Sequence, residues 1–147
     1  MSLKNSYETE AGGVEVGSAL GVINHIEYPQ IVILIKSNLE LPNLNIRPFY
    51  LNEKIANIFL NFDVKLKDRE KFNSKYILES KAEIAKLQKL LSINLTTKIA
   101  SYEDFSLEII DANILLKFER DITIEKVMVL YDIASLLDKE LTIYSVL

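Results

Sequence analysis

His25 and Glu27 stand two residues apart, a spacing that in a strand turns both side chains to one face and would offer two ligands to a metal ion. No third partner is marked by the pattern. His25 is the sole histidine, cysteine is absent, and zinc sites draw on several imidazoles or thiolates, so a surface or half-buried structural histidine is the simpler reading. A hydrolytic triad would need the same His25 with a serine and a carboxylate, and no Gly-x-Ser-x-Gly elbow is present. Without cysteine, thiol nucleophiles, thiolate metal sites and disulfides are excluded. The sequence therefore predicts no catalytic residue, no metal and no cofactor.

Carboxylates could do acid–base work where two converge in a cleft, and Glu103–Asp104, Asp63–Asp68 and Glu119–Asp121 are close enough in sequence to be considered. With 21 acidic residues in 147, such neighbours arise on any solvated surface. Ala11-Gly12-Gly13 has no following lysine and opens no helix, so it does not make a phosphate loop. Gly17 and Gly21 form a GxxxG without an apolar segment of spanning length, which reads as a turn or bulge.

One positive signal is cationic. Lys65, Lys67, Arg69 and Lys71 fall on alternate residues opposite Phe62, Val64 and Leu66, so a strand would gather them into one row able to meet phosphates or the headgroups of an anionic membrane surface. Asp63, Asp68 and Glu70 dilute that row, and lysines also protect solvated sheet edges. Basic and acidic groups number 10 and 6 over residues 47–89, against 2 and 5 before and 5 and 10 after. The net charge of −4 makes nucleic acid an unlikely partner.

Such residues need elements to hold them. Residues 1–13 carry Gly12 and Gly13 without a sustained period and read as a flexible lead-in to one α+β domain over 14–147. Val14 to Ile23 and Tyr28 to Ile35 read as strands, the second so rich in β-branched residues at Ile31-Val32-Ile33-Leu34-Ile35 that both faces should be covered. Leu44 to Tyr50 reads as a short strand whose Pro48 marks an edge or an end. Residues 52–61 suggest a short helix, and Phe62 to Leu66 with Phe72 to Glu79 a hairpin turning at Asp68-Arg69-Glu70-Lys71.

Ser80 with Glu83 predicts a capping box for a helix over about 81–91, and residues 94–102 add a helical turn. Phe105, Leu107 and Ile109, then Ile114, Leu116 and Phe118, alternate as the arms of a hairpin turning at Asp111-Ala112-Asn113. Thr123 is the predicted N-cap of a helix over about 124–140, with Ile124, Val127, Met128, Tyr131 and Ala134 as its apolar stripe, extended by Leu137 and Leu141. The architecture predicted is a mostly antiparallel sheet with two main helices packed on one face.

The order of the Tyr28–Ile35 strand, Leu41-Pro42 and Leu44-Asn45-Ile46-Arg47-Pro48, then Phe72 to Ser80 before a Leu90-Leu91 helix, a hairpin and a terminal amphipathic helix resembles the soluble C-terminal domain of uncharacterised bacterial membrane-anchored proteins of the DUF3137-like group. The resemblance spans about residues 16–141 as a serial pattern of weak motifs. It implies a membrane anchor on the N-terminal side and carries over no catalytic residue. No run here reaches the about 20 apolar residues a spanning helix needs, and the start has no basic-then-apolar leader.

The function expected is a noncatalytic interaction or structural domain with an unknown protein partner, monomeric or homodimeric, in the cytoplasm or at the cytoplasmic face of a membrane. The alternative is a small-ligand or lipid-binding module whose apolar pocket is lined by Tyr28, Phe49, Tyr50, Phe105 and Tyr131, aromatics that the core would equally claim.

Overall fold

The computed structural model describes residues 4–8, 14–23, 26–50 and 63–146, those before residue 30 by their backbone course. Among the described residues seven strands form one sheet in the order β1-β2-β3-β7-β6-β4-β5. They are β1 (Lys4–Glu8), β2 (Val14–Ile23), β3 (Ile26–Lys36), β4 (Leu44–Pro48), β5 (Tyr76–Ser80), β6 (Phe105–Ile110) and β7 (Asn113–Phe118). Every neighbouring pair is antiparallel. Among the described residues four helices follow: α1 (Glu70–Lys75), α2 (Ile84–Leu90), α3 (Ile93–Ile99) and α4 (Ile124–Val146). The chain is α+β as its pattern predicts, with α2 and α4 as the two expected helices and α3 overlapping the predicted helical turn.

Period-two alternation sets the core. Ile33, Ile35, Ile46, Leu78, Leu107, Ile109, Ile114 and Leu116 turn to the helical side, where Leu87, Leu90, Leu95, Ile99, Leu130, Ile133, Leu137 and Leu141 meet them. Val32 and Leu34 stay half-buried, so β3 is not sealed on both faces as its apolar run suggests. The described helices cover one side of the sheet, and an antiparallel sheet tolerates that asymmetry. Lys4–Glu8, inside the predicted lead-in, pairs with β2 through backbone hydrogen bonds, which need no apolar alternation.

The β6–β7 hairpin forms as predicted, with Asp111 and Ala112 alone in the loop. Their φ values of 49° and 64° are the left-handed pair that a two-residue type I′ turn requires, although neither is glycine. Asn113 Nδ2 donates to the carbonyls of Ile110 and Asp111 and braces the turn. Pro48 ends β4, where its missing amide costs no ladder bond.

The hairpin expected over 62–79 does not form. Only Asp63 bridges Glu79, and the return residues wind into α1 before β5 begins. Asp68 turns the chain at φ 57°, and the Asn73 amide then takes the place of a strand partner, donating to Leu66 O at 2.7 Å and accepting from Leu66 N at 3.1 Å. Phe72 and Tyr76, four residues apart, stack at 5.6 Å between ring centres. The helix predicted over 52–61 lies outside the described residues.

Capping follows chemistry at two helices and departs from the pattern at a third. Ser92 Oγ accepts from Leu95 N–H at 3.2 Å and donates to Glu140 at 2.7 Å, which fixes α3 against α4. Thr123 Oγ1 accepts from Lys126 N–H at 3.1 Å as the predicted cap of α4. Thr123→Ala is therefore expected to lower stability by about 1 kcal/mol in urea unfolding, and a loss of a few tenths or less would show the cap to be idle. At α2 the predicted Ser80–Glu83 box is absent. Ser80 Oγ instead bonds Asn43 O and Ala82 N, and the helix starts after Glu83 without a side-chain cap.

The fold displaces the ionisation of Tyr76. Its hydroxyl, buried, donates to Tyr102 O at 2.8 Å. Burial pushes its pKa well above the usual phenol range, the Asp104 and Glu103 carboxylates add to the rise, and a hydrogen bond from the Phe105 backbone opposes it. The unfolded chain releases this proton near pH 10 and the folded chain only at higher pH, so the contribution is complete below about pH 10 and is lost above it. Urea unfolding of Tyr76→Phe between roughly pH 9 and 11 should show a shallower decline of stability than the parent, by up to about 1.4 kcal/mol per pH unit. Parallel curves would disprove the assignment.

Candidate functional site

Ser37 to Asn43 connects β3 to β4 by crossing the ends of the sheet. Ser37 Oγ accepts from Leu39 N–H at 3.1 Å, which turns the segment's leucines inward, and Leu41 joins the core. Asn43 then fixes the corner. Its Oδ1 accepts from Asp111 N–H at 3.0 Å and its carbonyl accepts from the Ser80 hydroxyl at 2.7 Å, so one residue ties the start of β4 to the end of β5 and to the β6–β7 turn.

Between that segment and the strand ends lies an open cleft of about 930 Å³. Leu39, Leu41, Leu44, Ala82, Ile109 and Ile110 supply its apolar lining, and Ile110 is half exposed. Polar groups interrupt this lining at Glu40, Asn43, Asn45, Glu79, Lys81, Glu108 and Asp111. The volume sits near the top of the roughly 300–1,000 Å³ typical of ligand pockets.

Strand register explains how the carboxylates arrive. Asn45 on β4 pairs with Glu79 on β5 and with Glu108 on β6, which sets the three in one row across the sheet face opposite the helices. Glu79 is held by Asn45 Nδ2 at 3.1 Å and by Arg47 at 3.4 Å. Glu108, Glu40 and Asp111 have no ion pair among the described residues. Lys81 is the one basic residue of the lining.

A smaller pocket of about 250 Å³ continues along the same sheet face past Asn45 and Glu108 to Arg47, Ser106, Lys117 and Glu119. There the charges are matched. Ser106 Oγ donates to Glu119 at 2.5 Å and Lys117 pairs with the same carboxylate at 3.3 Å.

The carboxylate pairs considered from sequence do not converge. Glu103 is paired with Lys75, and Asp104 with Lys126 at 2.6 Å. Asp63 is paired with Lys65 and accepts from Leu78 N–H, whereas Asp68 sits exposed in a turn. Glu119 serves Ser106 and Lys117 while Asp121 is exposed. Each half-buried acid of these three pairs thus has its own partner. Among the described residues no group of three or more His, Asp or Glu side chains is placed to hold a metal ion. His25 lies outside the described residues, and with it the His25–Glu27 reading.

The cationic row is corrected. Lys65 lies in the extended approach to the turn and donates to Asn73 O, Lys67 begins the turn, Arg69 precedes α1, and Lys71 is on the helix. Arg69 folds back onto the carbonyls of Lys67 and Asp68, so four alternating residues do not share one face. The strand that would have aligned them is displaced by α1.

The aromatic pocket is likewise not assembled. Phe105 is fully buried against Phe118, Tyr131 is 62% exposed on the outer side of α4, and Phe49 and Tyr50 are half-buried after β4, with Arg120 over the Tyr50 ring at 5.1 Å. The side chain of Tyr28 is outside the description. Phe49, Tyr50, Phe105 and Tyr131 do not line the cleft.

No protein-family model matches the chain, and no curated protein or solved structure is significantly similar to it. Among the described residues no helix is long and apolar enough to cross a membrane.

Proposed function

We propose that this chain is a noncatalytic binding domain that works through the cleft at the ends of β4, β5 and β6. The observation that carries this reading is the cleft itself, an open volume of about 930 Å³ with leucine and isoleucine lining and several polar groups. The scattering of the other acids supports it, because Asp63, Glu103, Asp104 and Glu119, away from the cleft, are each occupied by a lysine, while Asp68 and Asp121 lie exposed at separate turns. Amide NMR titration with a library of neutral fragments tests the proposal. Saturable shifts at Ala82, Ile109 and Ala112 are expected. Fragments that leave those signals in place would count against the cleft, and turnover in an activity screen that Glu108→Gln abolishes would overturn the noncatalytic reading.

On the serial resemblance alone we propose in addition that the native product is tethered at the cytoplasmic face of a bacterial membrane. Fractionation of that product is the test, with recovery in the membrane pellet expected. Full recovery in the supernatant would remove the tether.

A further inference from the structure

We propose that the cleft is a docking site for a cationic peptide segment, one that places a large aliphatic side chain between lysines or arginines. This inference rests on the cleft being a binding site and adds what it binds. Charge is the first argument. Glu40, Glu108 and Asp111 line the cleft without a cationic partner among the described residues, while Glu79 is already held by Arg47 and Asn45. Lys81 is the single basic group set against them. Three uncompensated carboxylates repel phosphates, anionic headgroups and acidic peptides, and they attract ammonium or guanidinium groups.

Geometry is the second argument. Glu79 and Glu108 flank Asn45 in one row, so two interstrand spacings, roughly 9.5 Å, separate their backbones. Asp111 follows Glu108 at the β6–β7 turn, and Glu40 approaches from the β3–β4 segment. Acids thus enter the cleft from different segments around an apolar floor. Half-exposed Ile110 stands between Glu108 and Asp111 in sequence, where an incoming aliphatic group would bury it. In an extended peptide alternate residues repeat every 6.5–7 Å or so, and lysine stems are long enough to reach carboxylates beyond a central apolar side chain. The spread of the acids along an open cleft suits such a segment better than a compact amine, which would reach one carboxylate and leave the others without a cation.

Fluorescence anisotropy with the labelled peptide GKIKLKG tests this, with GEIELEG and GKSKSKG as controls. GKIKLKG is expected to bind saturably and the controls at least about fivefold more weakly, because each loses either the charge or the apolar term. Glu108→Gln combined with Asp111→Asn should weaken GKIKLKG by about five- to tenfold. Asparagine tolerates the left-handed backbone at Asp111, so the pair changes charge without straining the turn. Glu125→Gln with Asp132→Asn, on the exposed side of α4, should change binding less than about twofold, and raising salt should erode it. Equal binding of GKIKLKG and GEIELEG, or indifference to the Glu108–Asp111 pair, would overturn the proposal. If neutral fragments shift the cleft amides and GKIKLKG does not, the peptide is wrong and the binding domain stands. If neither shifts them, both fall.

Discussion

Phe105→Ala is expected to remove about 3–5 kcal/mol of stability, a large share of the roughly 5–15 kcal/mol that holds a domain of this size. Phe105 opens β6, is fully buried, and meets Phe118 edge-on at 5.9 Å across the β6–β7 register. Phe118 meets Tyr102 in turn at 5.7 Å, so the deleted ring leaves a void bordered by stiff aromatic neighbours that cannot collapse into it. Urea unfolding measures the loss. A decrease below about 1 kcal/mol would mean that the ring borders a cavity, as the sequence-level alternative of an aromatic ligand pocket requires, and would remove Phe105 from the core.

What the sequence discloses and what it hides follow from the range of the interactions involved. Phe105 to Phe118 reads correctly because both arms alternate and the turn is local, so every pairing partner is within 13 residues. Thr123 reads correctly for the same reason, since a cap acts on an amide three residues on. The 62–79 segment misleads because its apolar residues fit two periods, and the decision falls to Asn73, whose side chain imitates a strand partner for Leu66. No local pattern marks that role. The cleft is less legible still. Its lining comes from residues 39–45, 79–82 and 108–112, which meet only because β4 lies between β5 and β6. That strand order is not sequential, and nothing in the alternation of β4 states which neighbours it will take. Pro42-Asn43 signals a turn, yet Asn43 as the corner that binds Ser80 and Asp111 depends on contacts 37 and 68 residues away.

The long helix makes the same point with a clean contrast. The spacing of Ile124, Val127, Met128, Tyr131, Ala134, Leu137 and Leu141 predicts the buried stripe of α4, and the structure buries its last three members together with Val129, Leu130 and Ile133 but leaves Ile124, Met128 and Tyr131 exposed. Apolar residues surround much of this helix, so periodicity alone admits both faces. The continuation decides. Leu130, Ile133, Leu137 and Leu141 repeat at helical spacing for three turns against the sheet, whereas the line of Ile124, Met128 and Tyr131 runs into Ser135, Asp138 and Lys139. Leu130→Ala should therefore cost about 2–5 kcal/mol, and Met128→Ala one turn-face away should stay within about 0.5 kcal/mol of the parent. Thermal and urea unfolding of the two variants side by side test the orientation. The opposite ranking would require α4 to be rotated, with Met128 and Tyr131 packed on the sheet and Leu130 turned to solvent.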